Sequence, residues 1–130
     1  MSYARLVEAL TPQTKVLLAS AARTATVSSD DQRVIGRGVR VFINVSVVPG
    51  DPVSIVPTIT VKDPISGTYT AILTGAAITG TGHTTLVVYP GVTVAANTIV
   101  SAAMAGTYRV TMTCGNANSA TYSVSAVQLP

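Results

Sequence analysis

Tryptophan is absent from this chain, and cysteine and histidine occur once each. A single cysteine, Cys114, cannot close an internal disulfide, and one cysteine with one histidine cannot complete a structural zinc site. Charge is scarce as well, at 10% of residues against roughly a quarter in an ordinary soluble domain. No apolar run approaches the roughly 20 residues of a membrane-spanning helix, because Thr, Ser, Gly and Pro interrupt every one. Glu8, Pro12, Gln13 and Lys15 likewise break any apolar core of a secretory signal, so neither export by such a signal nor membrane insertion is expected.

The inventory for catalysis is equally short. His83 stands beside Thr84 and Thr85 with no G-x-S-x-G elbow to present a nucleophile, and the pattern puts it at the start of a strand, on a surface or edge. Cys114 falls on a face shared with Val110 and Met112, where a thiol is inert packing. No glycine-rich phosphate loop occurs, and Asp30, Asp31 and Asp51 lack the D-x-D-x-D-G spacing of a calcium loop. Gly36 and Gly38, which bracket Arg37, read as loop flexibility. Asn44-Val45-Ser46 matches the glycosylation triplet by chance. The expectation is a protein without catalytic residues, metal or cofactor.

The charges that do occur are unevenly placed. All five acidic residues precede Pro64, and Arg109 is the one fixed side-chain charge from there to Pro130. A formal charge of +3 raises the question of nucleic acid, but Arg33, Arg37 and Arg40, the nearest thing to a cluster, are offset by Asp30 and Asp31 and lack an aromatic platform. No nucleic-acid partner is expected. A half-chain surfaced with Thr, Ser, Ala and Gly has little electrostatic protection against self-association, which points to a surface covered by neighbouring subunits.

Residues 1–14 read as an arm or short helix: Tyr3, Leu6, Val7 and Leu10 recur at helical spacing, Ser2 can cap the start and Pro12 ends the run. So short a helix needs a dock. These four side chains are the candidate protein-interface residues, facing either their own sandwich or a neighbour.

From Lys15 the period changes to two and β-branched residues dominate. Candidate strands cover Lys15 to Ser28, with a kink at Ala19 to Ala22, then Val39 to Val48, Val53 to Lys62, Thr68 to Thr74, Thr84 to Tyr89, Tyr108 to Cys114 and Tyr122 to Gln128. Val92 to Ala103 stays open between loop, strand and helical turn. Pro49-Gly50-Asp51-Pro52 and Gly115-Asn116-Ala117-Asn118 read as hairpin turns, and Pro57 as the mark of an edge strand or bulge. Residues 15–130 thus form one all-β domain, an antiparallel β-sandwich of seven to eight strands, immunoglobulin-like or jelly-roll. Tyr108 and Tyr122 fall on core positions, each with one satisfied hydroxyl.

The stretch Leu17-Leu18-Ala19-Ser20-Ala21-Ala22-Arg23-Thr24-Ala25-Thr26-Val27 resembles that of small proteins encoded among tailed-phage head genes. So do Gly36-Arg37-Gly38-Val39, the run from Val61 to Tyr69, Tyr89-Pro90-Gly91, Tyr108-Arg109-Val110 and Ala120-Thr121-Tyr122-Ser123-Val124. The resemblance spans Lys15 to Val127 through turns and strands, and it carries no site residues. It implies a virion structural protein, a decoration or cement protein on the capsid surface whose partner is the major capsid protein or another virion protein. A homo-oligomer, a trimer by preference, would suit the threefold points of a capsid lattice. Neck, tail or fibre attachment is the neighbouring alternative, and a carbohydrate-binding or adhesin-type sandwich, which would need exposed tyrosines clustered on one face, is the other.

Overall fold

The computed structural model describes residues 13–104 and 106–130. The stripe Tyr3, Leu6, Val7 and Leu10 lies outside the described residues.

Strict alternation is most regular in Gly38–Val47, where Val39, Val41, Ile43 and Val45 are buried and Arg40, Phe42, Asn44 and Ser46 are exposed. A period of two gives one face to the core and one to solvent. The same logic builds ten strands: β1 (Gln13–Arg23), β2 (Val27–Ser28), β3 (Gln32–Arg33), β4 (Gly38–Val47), β5 (Ile55–Lys62), β6 (Tyr69–Thr74), β7 (Gly82–Val88), β8 (Ile99–Val100), β9 (Thr107–Cys114) and β10 (Ala120–Leu129). They form two sheets, A in the order β1-β10-β4-β7-β8, and B in the order β2-β9-β5-β6 with β3 also on β9. All pairings are antiparallel except the two-residue contact of β7 with β8. The region 92–103, open on sequence grounds, supplies that short strand.

The strand order settles the topology. β2 and β3 both pair with β9, at Met112 to Thr111 and at Tyr108 to Thr107, so they act as one broken strand. With β8 set aside, eight strands remain, and the first pairs with the last, the second with the seventh, the third with the sixth and the fourth with the fifth. A long hairpin rolled up in this way is a jelly roll.

That order corrects two hairpins expected from turn chemistry. β4 and β5 lie in different sheets, as do β9 and β10. Residues 48–54 instead cross between the sheets, with Val53 buried on the way; two prolines in the crossing remove donors that a tight hairpin would need. The second crossing is fastened to the first, since the side-chain amides of Asn118 and Asn116 donate to the Pro52 carbonyl at 2.9 and 3.4 Å. Gly115 N–H donates to the Ser54 carbonyl at 2.7 Å.

Pro57 sits on an inner strand, β5, not on an edge. Its carbonyl accepts from Gly75 N–H at 2.8 Å, and in an antiparallel ladder the N and O of one residue face the same side. The missing donor therefore points at the end of β6, whose register with β5 begins at Thr58; the bulge lies further on, between Ile59 and Thr60. β1 carries the expected kink as register shifts on both sides of Leu18. Arg23 fills it, donating to the carbonyls of Ala19 and Tyr122 at 2.6 and 2.7 Å. A further shift opposite Ser46 turns Val47 outward, 48% exposed, where alternation alone would bury it.

Gly36 and Gly38 are required by close approach rather than flexibility. A Cβ at Gly36, whose φ is +110°, would stand 2.4 Å from the Leu129 carbonyl oxygen, and one at Gly38 would stand 2.2 Å from that of Val88. Gln128 is buried beside them, accepting from Ile35 N–H and donating to the Arg33 carbonyl at 2.8 Å. Buried polar groups of this kind are normally paired. Tyr108 and Tyr122 are buried as expected, but neither hydroxyl has a hydrogen-bond partner among the described residues. The sheets pack closely around both rings and bring no acceptor to them.

Candidate docking surfaces

The outer face of sheet B is a threonine field with one charged corner. β9 turns Thr107, Arg109, Thr111 and Thr113 outward because Tyr108, Val110 and Met112 take the core. β5 adds Thr58, Thr60 and Lys62 in register, with Thr60 opposite Arg109 and Lys62 opposite Thr107. β6 ends the row with Tyr69 opposite Lys62.

At that corner the Tyr69 hydroxyl donates to Asp31 at 2.7 Å, and the Lys62 ammonium reaches the other Asp31 oxygen at 3.3 Å. The Arg109 guanidinium lies 3.6 Å from the centre of the Tyr69 ring. An arginine laid flat on an aromatic ring is held by quadrupole attraction and dispersion. The tyrosine hydrogen bond, then Lys62, hold the Asp31 carboxyl below its ordinary value, and the same bond raises the Tyr69 phenol. Arg109 has no hydrogen-bond or ion-pair partner for its guanidinium among the described residues: Nε is covered by protein and unpaired.

The outer face of sheet A differs in kind. Val16, 62% exposed, lines up across Ser125 and Phe42, 39% exposed, with Thr85. The next row is Thr14, Val127, Arg40 and Val87. Arg40 is the one charge among these eight residues. The face is thus apolar and hydroxylic, and it adjoins the start of β1, into which residues 1–12 lead.

The three arginines that sequence places together are dispersed. Arg33 stands on β3 beside sheet B, Arg40 on the outer face of sheet A, and Arg37 between them is bound to the Tyr89 hydroxyl at 2.8 Å, beneath which Tyr89 in turn donates to the Pro130 carbonyl. His83 is exposed on β7 opposite Asn44. It borders a cleft of about 270 Å³ with Ile78, Thr79, Thr81, Asn97 and Thr98, in which no carboxylate or thiol faces it. Cys114 is half-buried, burial pushes its thiol up, and its backbone N–H donates to the Thr26 hydroxyl. Among the described residues no group of three or more His, Cys, Asp or Glu could hold a metal. No helix of the described residues is long and apolar enough to cross a membrane.

Sequence reasoning missed the Asp31, Lys62, Tyr69 and Arg109 corner. Its members come from a loop and three strands that only the sheet order brings together. The one available signal was Arg109, a lone charge at an outward position of a strand otherwise filled with threonine.

Tyr108 and Tyr122 are core residues, while Tyr69 and Tyr89 occupy different surfaces, each beneath an arginine. No tyrosine cluster shares one face among the described residues. No family model matches the chain, and no curated protein matches it. Among solved structures, one described as the structure of infectious bursal disease virus Gx strain is similar over 92% of this chain, at 15% identity and a TM-score of 0.44. The chain spans about a third, 32%, of the length of that structure.

Proposed function

We propose that this chain is a non-catalytic virion structural protein, a decoration or cement subunit that docks on a capsid lattice and reinforces it. The observation that carries the reading is the placement of the tyrosines. A carbohydrate-binding sandwich stacks sugar on exposed aromatics, and here two tyrosines fill the core and the other two described ones lie under Arg109 and Arg37. The charge-poor composition supports the same reading, because an outer face like that of sheet A gains most when a neighbour covers it. The jelly roll is compatible with it, since that fold recurs in viral capsids, although it also serves lectins and so does not choose between them. The resemblance to tailed-phage head proteins supplies the choice of particle.

In this reading the stripe Tyr3, Leu6, Val7 and Leu10 anchors the subunit on a neighbour or on the shell, and three subunits meet at a threefold point of the lattice. Burying four such side chains contributes several kcal/mol, at about 25 cal/mol per Å² before ordering costs. Deleting residues 1–11 and measuring occupancy on purified particles tests the anchor. Occupancy falls by at least tenfold if the arm holds the subunit. Unchanged occupancy rejects it.

A further inference from the structure

We infer that Arg109 is a preformed receptor for a carboxylate side chain of a partner protein, on the outer face of sheet B. The inference rests on the docking role proposed above, but its test needs no particle. Three observations carry it. The guanidinium is fixed 3.6 Å from the Tyr69 ring centre, so little side-chain freedom remains to be lost on binding. Among the described residues its terminal nitrogens donate no hydrogen bond and form no ion pair, while Nε is covered by protein, so the terminal pair is the part left open to a partner. The neighbouring carboxylate is already engaged, because Asp31 takes the Tyr69 hydroxyl on one oxygen and Lys62 on the other.

The surroundings select the ligand. Of the cations on this part of the sheet, Lys62 is paired with Asp31, and Asp63 is turned onto its own turn, where it accepts from Ile65 and Ser66 N–H; Arg109 keeps no ion pair among the described residues, which favours an anion. Thr60 stands opposite Arg109 across the strand pair, its hydroxyl donating to the Arg109 carbonyl at 3.3 Å, with Thr58 and Thr111 in the adjacent row. A planar carboxylate accepts two parallel N–H bonds from a guanidinium, which an ammonium cannot supply. A nucleic-acid strand is disfavoured, because stacking a base needs a free aromatic face, and Arg109 covers that of Tyr69. A lipid surface finds threonines rather than an apolar row along β5 and β9, with one exposed isoleucine, Ile65, in the turn between Lys62 and Tyr69. Tyrosine and arginine are also among the residue types that dominate binding hot spots.

The test follows the Arg109 Nε–H signal and the Thr60 and Thr111 amides by NMR in the full-length protein. N-acetyl-glutamate methylamide is titrated at constant ionic strength, with the neutral glutamine analogue as control. The expected result is a saturable shift with the glutamate compound alone, weakened roughly tenfold in Arg109→Gln and several-fold in Arg109→Lys, which keeps the charge and loses the fork. Tyr69→Leu, which removes the shelf and leaves the charge, weakens it as well. Equal binding by Arg109→Lys, an equal response to the neutral analogue, tighter binding of methyl phosphate, or no saturable shift each overturns the inference.

Discussion

Replacing Tyr108 by phenylalanine removes a hydroxyl that has no hydrogen-bond partner among the described residues and keeps a ring that is 1% exposed. Burying an unpaired hydroxyl costs about 1–3 kcal/mol, whereas the small void left by its removal forfeits only a few dispersion contacts. Tyr108→Phe is therefore expected to be neutral or stabilising at pH 7, by up to about 1 kcal/mol. At about 2.1 cal/mol/K per residue, that gain raises Tm by roughly 4 °C for a domain of this size. The alkaline limb gives a second readout. Burial pushes the Tyr108 phenol from 10.0 up to about 12, so the folded state holds a proton that the unfolded chain releases first. The stability this provides is complete below pH 10 and is lost as pH rises towards 12, by about 3 kcal/mol at 1.36 kcal/mol per unit. Urea unfolding at pH 7 and at pH 11 measures both effects, and the phenylalanine variant should show a shallower alkaline loss than the parent. A variant less stable by 1 kcal/mol or more at pH 7, with an unchanged alkaline limb, would refute the reasoning by showing that the hydroxyl is paired.

Gly38→Ala places a Cβ 2.2 Å from the Val88 carbonyl oxygen, an overlap that backbone must relieve; a loss of about 1–3 kcal/mol in denaturant unfolding is expected, and an unchanged midpoint would contradict the close approach of β4 and β7. Asp31 should titrate below the ordinary aspartate value of 3.8, so its contribution is present above that pH and fades as acid protonates the folded form. Its carboxyl carbon shift should move back towards the ordinary midpoint in Tyr69→Phe, and a midpoint that stays put would mean that Lys62, not the phenol, sets it.

The strands were legible in the sequence because alternation records which side chains face the core. Val39 to Val45 and Tyr108 to Met112 could be placed on buried faces from their period alone, and the kink at Ala19 to Ala22 from its small residues. The partners of each strand were not legible. Pro49-Gly50-Asp51-Pro52 says that the chain bends, yet the same residues serve a hairpin within one sheet and a crossing between two. The side-chain bonds that decide it, from Asn116 and Asn118 to Pro52, join positions more than sixty residues apart. The outward turn of Val47 was hidden for a related reason, since the shift that flips it arises in pairing with β10. The Arg109 corner required knowing that Lys62, Thr107 and Tyr69 share a row. Charge scarcity, in contrast, was plain from composition, and it led to the search for docking faces.

The last of the described strands, β10, occupies an inner position, with β1 on one flank and β4 on the other. Until residues 120–129 leave the ribosome, the eleven residues of β1 have no ladder to join and one side of β4 stays bare. Assembly of sheet A is thus dominated by distant contacts, the kind of closure that slows folding. A chain that stops short of Ala120 loses the middle of a sheet rather than a margin, and should expose two sticky strand edges to other nascent chains.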